Sequence, residues 1–160
     1  MEPNFPVLMH LSGDFTMRKL LPVSFLAALV FSVGSVETAK AEAPNPAMVA
    51  CAKTCGECAM TCDQCAAYCV TALAEGKKEH LKSQRLCQDC AAICGTAACI
   101  MARSGPLSDV ICNACADACK RCGDCCEAIP GDEMMKKCAE ECRKCETACR
   151  AMLKVNAGTK

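Results

Sequence analysis

Residues 51–69 read CAKTCGECAMTCDQCAAYC. The cysteines stand at Cys51, Cys55, Cys58, Cys62, Cys65 and Cys69, with steps of 4, 3, 4, 3 and 4. That is the spacing of the buried seam of a bundled helix, where leucine or isoleucine ordinarily sits. Here every seam position is a thiol, so the helix offers its neighbours only sulfur. Such a core is built to be filled by metal.

The rhythm returns three times. Cys87, Cys90 and Cys94 form a second seam, Cys112, Cys115, Cys119, Cys122 and Cys126 a third, and Cys138, Cys142, Cys145 and Cys149 a fourth. Two cysteines fall off it. Cys125 lies on the flank of its seam and is expected still to face inward. Cys99 follows Cys94 by five residues, about 140° further round the helix, and reads as a helix–helix contact or a peripheral ligand.

Helix punctuation separates the four seams. Asn45-Pro46 supplies an N-cap and a proline at the first helical position, and the first helix should run to about Glu75 and stop at Gly76. A second fits Lys78 to Arg103, closed by Gly105-Pro106. Ser108 should cap a third that reaches Ile129 before Pro130-Gly131. Asp132 should cap a fourth that ends near Lys154. Connections this short make successive helices antiparallel. The expected fold is all-α, an up-down-up-down four-helix bundle with a Cys-lined lumen, over residues 48–154. Lys137, Glu140, Glu141, Arg143, Lys144 and Arg150 fall between the thiols of the fourth helix and read as a solvated face with i,i+4 pairs.

Upstream, 17–41 reads as a secretory signal peptide. Arg18 and Lys19 form its charged start, Leu20 to Val33 its apolar core, and Ala39-Lys40-Ala41 its cleavage site. The apolar run is broken by Pro22 and Ser24 and is short for a membrane span. Residues 1–16 form an upstream extension with none of a signal's parts, 42–47 a linker and 155–160 a tail. The expectation is an exported, periplasmic protein that leaves the membrane after cleavage.

Composition narrows the chemistry. Twenty of 160 residues are cysteine and none is tryptophan, a level at which composition alone signals a disulfide or metal scaffold. Lys and Arg number 18, as do Asp and Glu, which gives no electrostatic case for nucleic acid or anionic membrane. A disulfide-stabilised exported scaffold is the ordinary expectation for such a chain, but those domains are small and loop-rich, whereas these cysteines lie along helix faces. Zinc accepts four thiolates, but each such site carries a net charge of −2, and a row of them in one core would be severely penalised. Cu(I) is selected by soft sulfur ligands. With one thiolate per monovalent ion the filled core is neutral, which predicts on the order of fifteen to twenty ions per chain. Residues four apart share one helix face, so each C-x-x-x-C pair can hold an ion without help from another helix.

The C-x-x-x-C units Cys51/Cys55, Cys58/Cys62, Cys65/Cys69, Cys90/Cys94, Cys115/Cys119, Cys122/Cys126, Cys138/Cys142 and Cys145/Cys149 resemble those of the bacterial copper storage proteins, over roughly residues 46–153. The resemblance implies a four-helix bundle whose lumen holds many Cu(I) ions on cysteine, assembled as a homotetramer. It also implies copper-donor or copper-enzyme partners for the exported branch. Some exported members carry a twin-arginine signal, where this chain has Arg18-Lys19.

The function expected is storage and buffering of Cu(I) for supply or detoxification, without catalysis. A metallochaperone is the binding-protein alternative, but it needs one or two exposed cysteines. A thiol oxidoreductase needs one distinctive C-x-x-C in a βαβ setting, which is absent. At the bundle ends, Met48, Met101 and Met152 extend three seams toward one end, beside Ser108. His80, Leu73, Ile129, Met134 and Met135 collect at the other. The three methionines read either as apolar plugs or as a thioether mouth that passes Cu(I) inward. His80 reads either as a ligand or as a solvated helix-start residue.

Overall fold

The computed structural model describes residues 43–158. The upstream extension and the secretory signal expected at 1–16 and 17–41 lie outside them. The elements are α1 (Pro46–Ala74), α2 (His80–Ala102), α3 (Ser108–Glu127) and α4 (Glu133–Gly158), with no strand among the described residues. No helix among them is long and apolar enough to cross a membrane.

Each helix packs against its chain neighbours and α1 closes the ring against α4, while the diagonal pairs keep their backbones apart and meet through sulfur in the lumen. Sulfur pairs fix the directions. Cys55 near the start of α1 meets Cys149 near the end of α4, and Cys62 meets Cys138. Cys87 early in α2 meets Cys126 late in α3. These pairings require antiparallel neighbours, the up-down-up-down bundle that the short connections predict.

The caps agree with the sequence at three of four places. Asn45 Oδ1 accepts from the Ala47 N–H at 2.9 Å, ahead of Pro46. Asp132 Oδ1 accepts from the Met134 and Met135 N–H groups at 3.0 and 3.1 Å. After α1, Gly76 takes φ +89°, and the Gly76 and Lys77 N–H groups return to the carbonyls of Leu73 and Ala72. This left-handed exit suits glycine. Ser108 departs from expectation. Leu107 takes the cap position without a side-chain bond, and Ser108, first in the helix, donates to the Gly105 carbonyl at 2.6 Å. The backbone of α4 continues to Gly158, beyond the end expected near Lys154.

The turn between α2 and α3 is pinned from a distance. Ser104 stands at φ +50°, a region costly for a residue with a side chain, and its hydroxyl accepts from the Asn45 N–H at 3.2 Å. Arg143 is more than part of a solvated face. It donates to Glu127 at 2.7 Å and to Asp124 and Lys120 of α3, as well as to Glu146 on its own helix. Gly123 makes room for it, since a Cβ there would stand 3.1 Å from the guanidinium carbon.

Candidate metal centre

Every cysteine except Cys99 and Cys125 is buried, and all twenty are free thiols. The core consists of these thiols, a few alanines, and methionine only at Met101, Met135 and Met152. An ordinary bundle interior would be filled by large aliphatic side chains. Here it is a continuous column of sulfur.

The column is layered. Sulfurs of Cys55, Cys115, Cys145 and Cys149 all lie within 4.8 Å of one another. Below them Cys58, Cys90, Cys94 and Cys119 form a second such group, and Cys58, Cys62, Cys90 and Cys142 a third. Cys62, Cys122, Cys138 and Cys142 follow, then Cys65, Cys87, Cys126 and Cys138. Members recur among the last four groups, and the Cys94–Cys115 contact at 3.5 Å ties the first to the second, so these groups are not separated four-ligand knuckles of the kind that structural zinc sites show. Neighbouring contacts run from 3.4 Å for Cys94–Cys119 to 4.0 Å for Cys58–Cys62. These are hydrogen-bond distances between thiols, well beyond the roughly 2.05 Å of a disulfide.

Proton sharing in this lattice splits the thiols. Cys119 is held up by its bond with Cys115, while Cys58 is drawn down by its bond with Cys119. At the end of the α1 seam, burial pushes the Cys69 thiol up to about 11. A dry interior penalises thiolates that have no cation beside them. A soft monovalent ion between two sulfurs supplies that cation and replaces the S–H···S bond.

Cys51 meets Cys149 at 4.0 Å at one end of the column, and the Cys112 thiol donates to the Met101 thioether at 3.3 Å. Met101 and Met152 are buried and Met48 half-buried, all packed on this end of the core. Register therefore places the three methionines at the same end, Met48 and Met152 one turn beyond Cys51 and Cys149, and Met101 two turns beyond Cys94.

His80 lies at the opposite end and is buried, not the solvated helix-start residue of one sequence reading. Its Nε2 stands 3.2 Å from Asp132 Oδ2, which also accepts from the Tyr68 hydroxyl at 2.7 Å. The Tyr68 and His80 rings meet edge-on at 6.0 Å. The same carboxylate caps α4, so Asp132 joins α1, α2 and α4. Burial opposes its ionisation, but the bonds from Tyr68, the Met135 N–H, His80 and the Met134 N–H hold its carboxyl below the ordinary 3.8. Its contribution is therefore present above that pH and lost on acidification. Asp132→Ala should destabilise the metal-free bundle by about 2–3 kcal/mol. Asp132→Asn, which can still cap, should cost less; urea unfolding of both variants compares the two.

Two cysteines stand apart. Cys99 is exposed. Cys125, expected to face inward, is half-buried between α2 and α3, with its sulfur 3.4 Å from the Ser83 hydroxyl. The seam positions Ser83 and Ala97, both fully buried, carry no cysteine signal. They show themselves in the sequence only when the α2 seam is extended through His80 and Met101.

The model of a family described as "Copper storage protein" matches residues 45–154. The chain belongs to this family. Among solved structures, it is similar to the copper storage protein of Streptomyces lividans, described as cytosolic, in a form carrying five coppers. Identity is 34%, coverage 68% of this chain and 92% of that one, and the TM-score 0.62. A form loaded with 10 copper equivalents matches at 30% identity over 72% of this chain and 93% of that one, with a TM-score of 0.64. The Cu(I)-bound storage protein BsCsp3 matches at 33% identity over 67% and 98%, with a TM-score of 0.59. Comparison with curated proteins gives no match.

The family likeness corrects one expectation. The similar Streptomyces lividans member is cytosolic, which points away from the exported, periplasmic location read from 17–41.

Proposed function

We propose that this chain stores and buffers Cu(I) on the lumen thiols, without catalysing a reaction. The observation that carries the reading is the unbroken column of overlapping sulfur groups, each held by at least three helices. Thiolates from Cys51, Cys55, Cys58, Cys62, Cys65 and Cys69 form one wall, and the seams of α2, α3 and α4 form the others. Each ion lies between two sulfurs and each sulfur bridges two ions, so the full lumen is close to neutral. A metallochaperone would present its thiols outward, and here only Cys99 is exposed. The bundle is read as one protomer of a homotetramer, with copper-donor or copper-using proteins as partners. Competition with a strong Cu(I) chelator tests the reading. The reduced chain should retain several ions against the chelator, and complete stripping at equimolar chelator would contradict it.

Met48, Met101 and Met152 supply the mouth. Thioethers bind Cu(I) without first losing a proton, and the Cys112–Met101 contact links them directly to the thiol column. His80 is committed to Asp132 at the far end and serves as a brace. A triple Met→Leu variant should keep its capacity but load severalfold more slowly in stopped-flow traces. Unchanged kinetics would assign the methionines to packing alone.

A further inference from the structure

Ser83 occupies a seam position of α2 and is fully buried. The hydroxyls of Thr54, Thr61, Thr96 and Thr147 all donate to the carbonyl four residues back on their own helices. Ser83 does not; its one hydrogen-bond partner among the described residues is the half-buried Cys125 thiol. A hydroxyl has one proton to give and two lone pairs, so capacity is left over at this contact.

Ser83 and Cys125 line a groove of about 490 Å³ between α2 and α3, together with Lys82, Arg121 and the carboxylates of Glu79 and Asp124; Glu79 stands 3.8 Å from His80 Nδ1. Asp124 is already paired with Lys120 and Arg143. Lys82 and Arg121 make no ion pair among the described residues. Arg121 lies four residues before Cys125, on the same helical face. The groove thus combines an accessible thiol, a buried hydroxyl aimed at it and two cations without counter-ions. Cys122, three residues before Cys125, is buried and faces the lumen, with its sulfur 3.6 Å from Cys87. Side chains at this spacing are neighbours, with Cβ atoms about 5–6 Å apart. The pair therefore spans the wall of the bundle.

We propose that this groove is a side port where a Cu(I) complex of a small carboxylate-bearing thiol docks and transfers its ion through the α3 wall. Lys82 and Arg121 take the carboxylates. The Cys125 thiol replaces one thiolate of the bis-thiolate complex: its proton leaves on the departing thiol, a Cu–S bond forms and a Cu–S bond breaks. Copper stays monovalent throughout. The Ser83 hydroxyl donates to the Cys125 sulfur as it becomes anionic, where such a bond is strongest. Cys122 then displaces the second small thiol in the same way, leaving the ion between Cys122 and Cys125. The port rests on the reading of the lumen thiols as Cu(I) ligands.

Stopped-flow loading of the full reduced chain tests it, with Cu(I) supplied either as its glutathione complex or as its acetonitrile complex. Cys125→Ser and the double variant Lys82→Gln/Arg121→Gln should each slow loading from glutathione at least about fivefold, and far more than from acetonitrile, because only the former complex carries carboxylates to steer. Cys99→Ser should load at the wild-type rate. Wild-type rates from glutathione in both test variants, or equal slowing from the two donors, would overturn the port. A wild-type capacity of only one or two ions would instead remove the storage reading beneath it.

Discussion

Filling the lumen with Cu(I) should raise the unfolding temperature of the bundle by on the order of 20 °C or more. The metal-free core has little to hold it. Its buried side chains are thiols, alanines, three methionines, Thr61 midway along α1, His80 near one end and two serines. A cysteine contributes far less apolar surface than a leucine, and S–H···S contacts are weak bonds. The stacked thiol pairs, by contrast, exist only when the helices are formed and assembled, so copper binds the folded state in preference to the unfolded one. Two ions held a hundredfold above their dissociation constants already add about 5 kcal/mol. Thermal scans by circular dichroism at increasing copper loads check this, and a transition that stays put or falls would argue that copper binds the surface.

Loading should also release protons, and copper affinity should rise steeply with pH. The lumen thiols must lose their protons to become ligands, and where burial dominates, as at Cys69, it pushes the thiol up to about 11 and keeps it protonated at neutral pH. Early ions, each taking two thiols, should release about two protons; at full load, with bridging sulfurs, the total should settle near one per ion. Affinity per site should then climb about tenfold per pH unit for each proton released. The same raised thiol acts oppositely on the metal-free fold. Its folded value lies near 11 against 9.0 unfolded, so its stabilising share is complete below about pH 9 and is lost as pH rises toward 11. Proton release in weakly buffered titrations and alkaline unfolding of metal-free protein measure the two effects. Copper uptake without acidification would contradict the thiol chemistry.

The four helices and their inward faces were legible because each carries one dense periodic signal. Alternating steps of three and four place Cys51 through Cys69 on a single stripe, and Asn45, Gly76 and Asp132 punctuate the helices by local rules. What escaped depends on partners distant in sequence or on helix rotation. His80 reads as a polar residue at a helix start until Asp132 and Tyr68 come to it from two other helices. Arg143 reads as surface charge until α3 supplies Glu127 and Asp124 across Gly123. Cys125 adjoins Cys126 and follows Cys122 by three, so its spacing reads as inward; the rotation of α3 turns it toward Ser83 instead. The location read from 17–41 was corrected by likeness to a cytosolic relative, a kind of information that helix periodicity does not carry.

The number of Cu(I) ions held by the full, reduced chain decides most directly between a store and any other thiol protein. Native mass spectrometry after loading with excess Cu(I) and removal of loosely held metal should show on the order of fifteen to twenty ions per chain, close to one per lumen cysteine. Saturation at one or two ions would contradict it.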